Sequence, residues 1–316
     1  MSNTAPGTWL SRRERGTVFG IRIAFRCATL LGRPATKPLV AAIALWYRLF
    51  DRRAVAASRE WLRRATGTDP GFWRVYRHLY TFAQVTMDRA FFLTGRTGAL
   101  RFTRTGHDLL EQQQASGRGA VLLGAHLGSY EAMRAGGRDD TLRIKIVGYF
   151  ANSKMINALM AELNPSVSTE VIHLGEDPAG VMANVQEALQ RGDFVGMMAD
   201  RTGLTERATE VLFFGEPAKF ATGPFLLASI LRCPVYMVFG LYRGPNNYDL
   251  HCERFADKID VPRRDRESAL RTWVQRYAAR IEHHARQAPD NWFNFFDFWA
   301  ARAPAAAPQP EEQHTP

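Results

Sequence analysis

Hydrophobic and polar positions divide the chain into two regimes. Up to about residue 98 apolar residues recur at helical spacing, and beyond it short apolar runs alternate with helical stretches. Residues 1–15 read as polar and frayed. Gly16 to Gly32, Pro38 to Asp51 and Arg53 to Thr66 predict helices separated by Pro and Gly, with Pro34 and Pro38 as breaks. Phe72 to Leu93 predicts a longer amphipathic helix, with Val75, Leu79, Phe82, Val85 and Phe91 near one face. Phe102 begins a short strand or turn, and 106–116 a helix. Strands are then expected at 120–124, 142–149, 169–174, 194–199, 210–214, 234–242 and 248–255. Helices are expected at 129–137, 153–163, 178–191, 222–232 and 266–287. Strands interleaved with helices predict an α/β sheet covered on both faces, with active residues at the strand ends. After Trp299 the chain runs into Ala, Pro, Gln and Glu, so 301–316 reads as a disordered tail.

One stretch carries candidate chemistry: Ala120-Val-Leu-Leu-Gly-Ala-His126-Leu-Gly128-Ser129-Tyr130-Glu131. Ala120 to Leu123 predicts a buried strand, the two glycines a turn around His126, and Ser129 an N-cap for the helix that follows. Five residues turn through about 500° in a helix, leaving the side chains about 140° apart, and five along a strand lie on opposite faces. Only a bend brings Glu131 back to His126, and the glycines supply one. Such a pair suits a general base: neutral imidazole takes a proton while a carboxylate on its other nitrogen holds the tautomer. No G-x-S-x-G elbow or reactive Cys adjoins it, which suggests direct attack by an acceptor on an activated acyl group. The motif alone is weak, since about one H-x4-[DE] match arises by chance at this composition. The bland alternative is a satisfied histidine at a sheet edge.

Later stretches are candidates to join the site. Met198-Ala-Asp200-Arg201-Thr-Gly closes an apolar strand with an acid and a base, and the alternative is a surface salt bridge. Phe213-Phe214-Gly215 ends another strand in a turn, followed by Lys219 and Phe220, and plain core is the competing reading for the phenylalanines. Thr222-Gly223-Pro224 opens a helix whose first N–H groups suit a phosphate or oxyanion. His173 sits at a strand end and reads as structural, with a secondary place in the site as the alternative, while His283 and His284 fall on a charged helix and His251 alternates along a strand with Cys252. No carboxylate or cysteine stands at ligand spacing to them, so no metal or other cofactor is expected.

Charge changes the picture at one end only. Residues 1–77 carry 15 Lys and Arg against Glu14, Asp51, Glu60 and Asp69, while the whole chain has a net charge of +10. The excess therefore belongs to the N-terminal quarter, where arginines mix with Trp9, Phe19, Phe25, Leu39 to Phe50, Trp61, Phe72 and Trp73. The apolar run 39–50 is short for a bilayer span, so these segments are expected to lie in a membrane interface facing anionic lipid. Nucleic acid is the rival partner and lacks a supporting motif. A solvated face on ordinary packing helices is the bland one. Three widely spaced cysteines, Cys27, Cys233 and Cys252, fit a reducing compartment, and arginines inside the first apolar run argue against a signal peptide.

In series, these blocks resemble the lysophospholipid acyltransferase superfamily, and most nearly its lipid A late acyltransferase branch. His126 and Glu131 match the H-x4-[DE] signature, Asp200 the acidic strand end, and Phe213-Phe214-Gly215 and Thr222-Gly223-Pro224 the later turn blocks. The resemblance covers about 10–300. It implies a mixed, mostly parallel sheet flanked by helices, with a basic helical membrane-associating region at 1–98 and a catalytic domain at 99–300. It implies an acyltransferase at the cytoplasmic face of the bacterial inner membrane, drawing on acyl carrier protein or coenzyme A thioesters. His126, Glu131 and Asp200 would be catalytic. Gly128, Ser129, Arg201, Phe213, Phe214, Gly215, Lys219, Thr222 and Gly223 would bind substrate, with N–H groups near Gly128, or Arg201, as oxyanion donors. Two departures matter. Phe150 follows Tyr149 where the lipid A enzymes usually have Arg, and Asn291-Trp-Phe-Asn294-Phe-Phe-Asp-Phe-Trp299 replaces a Trp-x-His-x-Arg-type ending. Both remove basic residues suited to a phosphorylated disaccharide, and this ending is more like acyltransferases of aryl polyene synthesis. A non-catalytic lipid-binding scaffold is the alternative from another class.

Overall fold

A computed structural model describes residues 25, 26, 28, 30, 32–137, 142–148, 171–174, 177–202 and 207–299. The expected helix 153–163, the block 149–152, most of the expected helix 16–32 and both termini lie outside the described residues.

From Arg33 on, three helices follow one another: α1 (Arg33–Phe50), α2 (Arg52–Thr66) and α3 (Phe72–Leu93). Then follow β1 (Arg101–Thr105), α4 (His107–Ala115), β2 (Ala120–Gly124), α5 (Tyr130–Ala135), β3 (Ile144–Gly148), β4 (Val171–His173), α6 (Pro178–Gln190) and β5 (Phe194–Met198). The hairpin β6 (Ala208–Phe213) and β7 (Glu216–Ala221) precedes α7 (Gly223–Leu231), β8 (Val235–Tyr242), β9 (Asn247–Ala256) and α8 (Arg266–Gln287). A 3₁₀ turn at Pro289–Asn291 leads into a final strap. Among the described residues seven strands form one sheet in the order β1-β9-β8-β2-β5-β3-β4. Every neighbouring pair is parallel except β8 with β9. The fold is thus α/β with a mixed, mostly parallel sheet flanked by helices.

Two elements depart from expectation. Residues 216–221, expected as turn and helix entry, form β7, because Phe214 and Gly215 both take positive φ (52° and 80°) and close a two-residue hairpin. Helix α1 begins at Arg33 and runs through both prolines. Pro34 sits in the first turn, where its missing N–H costs nothing, and Pro38 removes one hydrogen bond without ending the helix.

Helix α1 is also inverted. It buries Arg33, Thr36, Val40 and Ala44 and leaves Leu39, Leu45, Trp46, Leu49 and Phe50 exposed, Phe50 at 65%. Arg33 is accepted inside because Asp88 of α3 meets it twice, Nε to Oδ1 at 2.7 Å and Nη2 to Oδ2 at 2.9 Å. Among the described residues no helix is long and apolar enough to cross a membrane.

The core does not stop at residue 98. Trp61, Leu62, Val75, Leu79 and Phe92 of the first helices share one apolar cluster with the central strands. Trp61 stacks on Trp292 (centroids 5.0 Å) and donates Nε1 to the carbonyl of Pro289 at 2.7 Å. The N-terminal helices therefore clamp the end of the chain against the sheet, above the carboxyl ends of β2 and β5.

Candidate active site

Strand register places two side chains abreast. Gly124 of β2 pairs with Met198 of β5 in a parallel ladder, so His126 and Asp200, each two residues on, emerge together at the sheet's carboxyl edge. Tyr277 of α8 ties the two strand ends, donating its hydroxyl to Gly124 O (2.6 Å) and accepting the Ala199 N–H (3.3 Å). Asp200 is fully buried. Its Oδ1 faces His126 Nδ1 at 2.9 Å, and its Oδ2 accepts the His126 backbone N–H at 2.9 Å and Asn294 Nδ2 at 2.9 Å. A carboxylate only accepts, so the imidazole proton sits on Nδ1 and Nε2 is left as the base. About a quarter of the His126 side chain's surface is exposed.

The electrostatics keep this base neutral. Burial lowers the imidazole's pKa and Arg201 lowers it further, and the Asp200 carboxylate recovers only part. Burial opposes the charge on Asp200, but His126 and Arg201 together hold its carboxyl below the usual range.

Glu131 does not take the expected place. The bend is present, yet no hydrogen bond or ion pair joins Glu131 to His126. Ser129 caps α5, accepting the Ala132 N–H at 3.1 Å, and donates to Glu131 Oε2 at 3.2 Å. Arg89 of α3 meets Glu131 Oε1 at 2.5 Å. The helix that starts at Tyr130 carries Glu131 towards α3, so the carboxylate on the imidazole is Asp200. The expected His126–Glu131 pairing is corrected to His126–Asp200.

The backbone donors beside His126 are also engaged. Gly128 N–H donates to Asn291 O and Ser129 N–H to Gly240 O, both at 2.8 Å, which removes them as oxyanion donors in this arrangement. Gly128 has φ +82°, and a Cβ there would lie 2.2 Å from Gly240 O. Gly128→Ala should therefore displace the His126 loop and cut turnover by roughly a hundredfold, since a shift of about 1 Å costs that much. Steady-state kinetics beside a melting curve measure it.

The strap supplies the fourth wall. Phe293 N–H donates to His126 O at 2.8 Å, and Arg201 reaches Asn294 Oδ1 (2.6 Å) and Phe293 O (3.1 Å). His78 of α3 faces Trp292 O through Nε2 at 2.6 Å and Ser58 through Nδ1 at 2.8 Å, and burial pushes its pKa down to about 4. Asn294, Asn291, Tyr277 and Arg89 were not singled out by sequence. The visible signal was two asparagines inside an aromatic run.

Other candidates sit apart from the dyad. Phe213 and Phe220 are fully buried and packed with Trp61, Trp292, Phe298 and Trp299, so they are core and not the wall of an open acyl groove. Phe214 and Gly215 form the hairpin turn, with Phe214 N–H on Glu282 Oε1 at 2.5 Å. Lys219 is exposed opposite Glu210. Thr222 is spent on Arg207 O at 2.9 Å, and Gly223 begins α7. The hairpin reaches the site through its backbone, Ala221 N–H to Ala199 O at 3.0 Å. A cavity of about 300 Å³ lined by Gln114, Gly117, Arg143, Arg191 and Gly192 lies at the opposite end of the strands and holds no residue of the site.

An α/β sheet presenting a histidine base backed by a buried aspartate, with Nε2 open, defines an enzyme class that moves protons for an incoming nucleophile. The family model for bacterial lipid A biosynthesis acyltransferases matches residues 10–300, and the chain belongs to that family. It is accordingly an acyltransferase, using an acyl donor and a lipid acceptor. Comparison with curated individual proteins found no match.

Proposed function

We propose that the protein moves an acyl chain from a thioester, on acyl carrier protein or coenzyme A, to a hydroxyl of a lipid-like acceptor at an anionic membrane surface. The observation that carries this reading is the Nδ1-anchored His126 with Nε2 open and, among the described residues, no Ser or Cys hydrogen-bonded to it. The acceptor O–H gives its proton to Nε2 as its oxygen bonds to the thioester carbonyl. The imidazolium, held by Asp200, returns that proton to the departing thiolate as the C–S bond breaks. Arg201, beside the pair, is a cation suited to the charge that develops on the carbonyl oxygen. The acyl chain lies along Phe82, which is 40% exposed and whose ring meets those of Phe293 and Phe295 at 5.3 and 5.0 Å, Phe293 being bonded through its N–H to His126 O. Thiol release from an acyl-thioester by pure protein tests the reaction, and mass spectrometry of lipid extracts made with and without it names the acceptor.

Two acceptors have support. Family membership favours a lipid A precursor. Phe150 and the Asn294 and Phe296 positions of the ending, where basic residues are usual, favour a less phosphorylated lipid such as an aryl polyene glycolipid, and we adopt the latter.

The membrane reading rests on the inverted face of α1. Trp46, Leu49 and Phe50 stand exposed, and Arg48 lies 4.0 Å over the ring of Phe72, which adjoins the exposed Trp73. Among the described residues up to Arg77 the acids are Asp51, buried as the cap of α2, Glu60, paired with Arg64, and Asp69. An apolar patch rimmed by cations fits the cytoplasmic face of a bacterial inner membrane, held without a span. Trp46→Ser with Trp73→Ser should weaken binding to vesicles containing anionic phosphatidylglycerol about tenfold or more, by area removed from lipid, with melting unchanged. Equal co-sedimentation of the variant and the parent would remove this face from the reading.

A further inference from the structure

We propose that Asn294 is a positioning residue for the His126–Asp200 pair: its amide sets how tightly Asp200 grips the imidazole. The inference rests on the acyl-transfer reading of that pair and names a residue to which that reading gives no part in the proton transfer.

Asp200 receives three N–H groups, and two of them belong to His126 itself. The third is Asn294 Nδ2 on Oδ2, from a residue 94 positions further along the chain. Its amide has one allowed orientation, because Arg201 Nε donates to Oδ1 at 2.6 Å and a flipped amide would set donor against donor and oxygen against carboxylate. Asn294 is buried, at 3% exposure. The neighbouring Asn291 shows the contrast. Its side chain accepts the Tyr242 N–H at 2.7 Å and donates to Tyr242 O at 3.0 Å, which fastens the strap to β8 and touches no site group. Both ends of Asn294 go to charged groups of the site instead.

A donor on Oδ2 draws carboxylate charge away from His126. Without it, the same carboxylate holds an imidazolium more tightly, so His126 keeps its proton to higher pH and less of it is present as the free base. Among the described residues, the other charged or titratable groups on the elements around the pair are Arg201, Tyr277 of α8, His78 of α3 and the Glu131–Arg89 ion pair. Of these only Arg201 touches Asn294, and it retains Phe293 O.

The test is a nitrogen NMR pH titration of the His126 ring in the full chain, the resonance being assigned by its loss in His126→Ala. Asn294→Ala, and Asn294→Leu, which keeps the volume, are each expected to move the midpoint upward by about one pH unit. Thiol release from an acyl-coenzyme A should lose about tenfold in kcat, as for a lost hydrogen bond to a charged group, with KM within about twofold. If Asn294→Ala does not fold, Asn294→Leu reads the same midpoint. An unmoved midpoint in the folded variants overturns the proposal even if kcat falls, because a merely structural role would do that. Full activity of His126→Ala would instead overturn the acyl-transfer reading and leave the measured midpoints to decide the role of Asn294.

Discussion

Replacing His126 with alanine is expected to lower acyl transfer by about 10³-fold or more, within the range a general base supplies, while leaving melting and vesicle binding in place. The variant removes Nε2, the one nitrogen of the pair open to a substrate. The fold should tolerate it, because the loop at 126–128 is held by its backbone, through Phe293 N–H on His126 O, Gly128 N–H on Asn291 O and the His126 N–H on Asp200. The parent enzyme's pH profile adds a signed check. Burial and Arg201 depress the imidazole's pKa, so the base stays neutral as pH falls through the ordinary histidine value. The acid limb of kcat/KM should therefore lie below the ordinary imidazole value of 6.5. Thiol release across a pH series measures both. A parent whose limb lies above that value, or a variant with turnover within tenfold, would show that another group takes the proton.

The sequence made the strand-turn-helix corner legible because its signals are local: an apolar run, two glycines and an N-cap within ten residues. It misled about the partner for the same reason. Glu131 is close in sequence but rides the first turn of α5 to Arg89, whereas Asp200 is 74 residues away and meets His126 through the Gly124–Met198 register. Register between distant parallel strands leaves no trace in spacing along the chain. Most strand positions were readable from apolar runs. The hairpin strand 216–221 was not, since Phe214 at positive φ is a choice few aromatic residues make. Helix α1 shows the limit of periodicity. Its pattern predicts a helix only from Pro38, with the apolar run 39–50 towards lipid, and only the structure shows that Arg33 and Thr36 belong to the same helix and turn inward. The prolines read as breaks because a Pro signal does not say whether its N–H would have been needed.

That buried edge carries the second large effect. Asp88→Ala is expected to destabilise the protein by about 3–5 kcal/mol, the cost of leaving a buried charge without its partner. Arg33 and Asp88 are 3% and 0% exposed. Burial opposes the guanidinium's charge, and Asp88 more than compensates, holding its pKa above the ordinary value. Tyr248 also donates its hydroxyl to Asp88 Oδ2 at 2.8 Å, and Gln84 its amide to Oδ1 at 2.8 Å, so the alanine orphans two further donors. Among the described residues the remaining contacts of the Arg33 guanidinium, to Pro245 O and Asn246 Oδ1 in the β8–β9 turn and to Tyr242, are with neutral groups and cannot balance a full charge. A typical domain holds about 5–15 kcal/mol in total, so denaturant midpoints should drop by a large fraction. Arg33→Met combined with Asp88→Leu removes both charges and should recover most of the loss, because apolar replacement of a buried pair is often near neutral. The same ion pair bolts α1 and α3 to that turn, so the single variant should also loosen the exposed Trp46–Phe50 face from the sheet. Denaturation of the single and double variants measures the coupling, and a single variant within about 1 kcal/mol of the parent would mean that water already reaches Arg33.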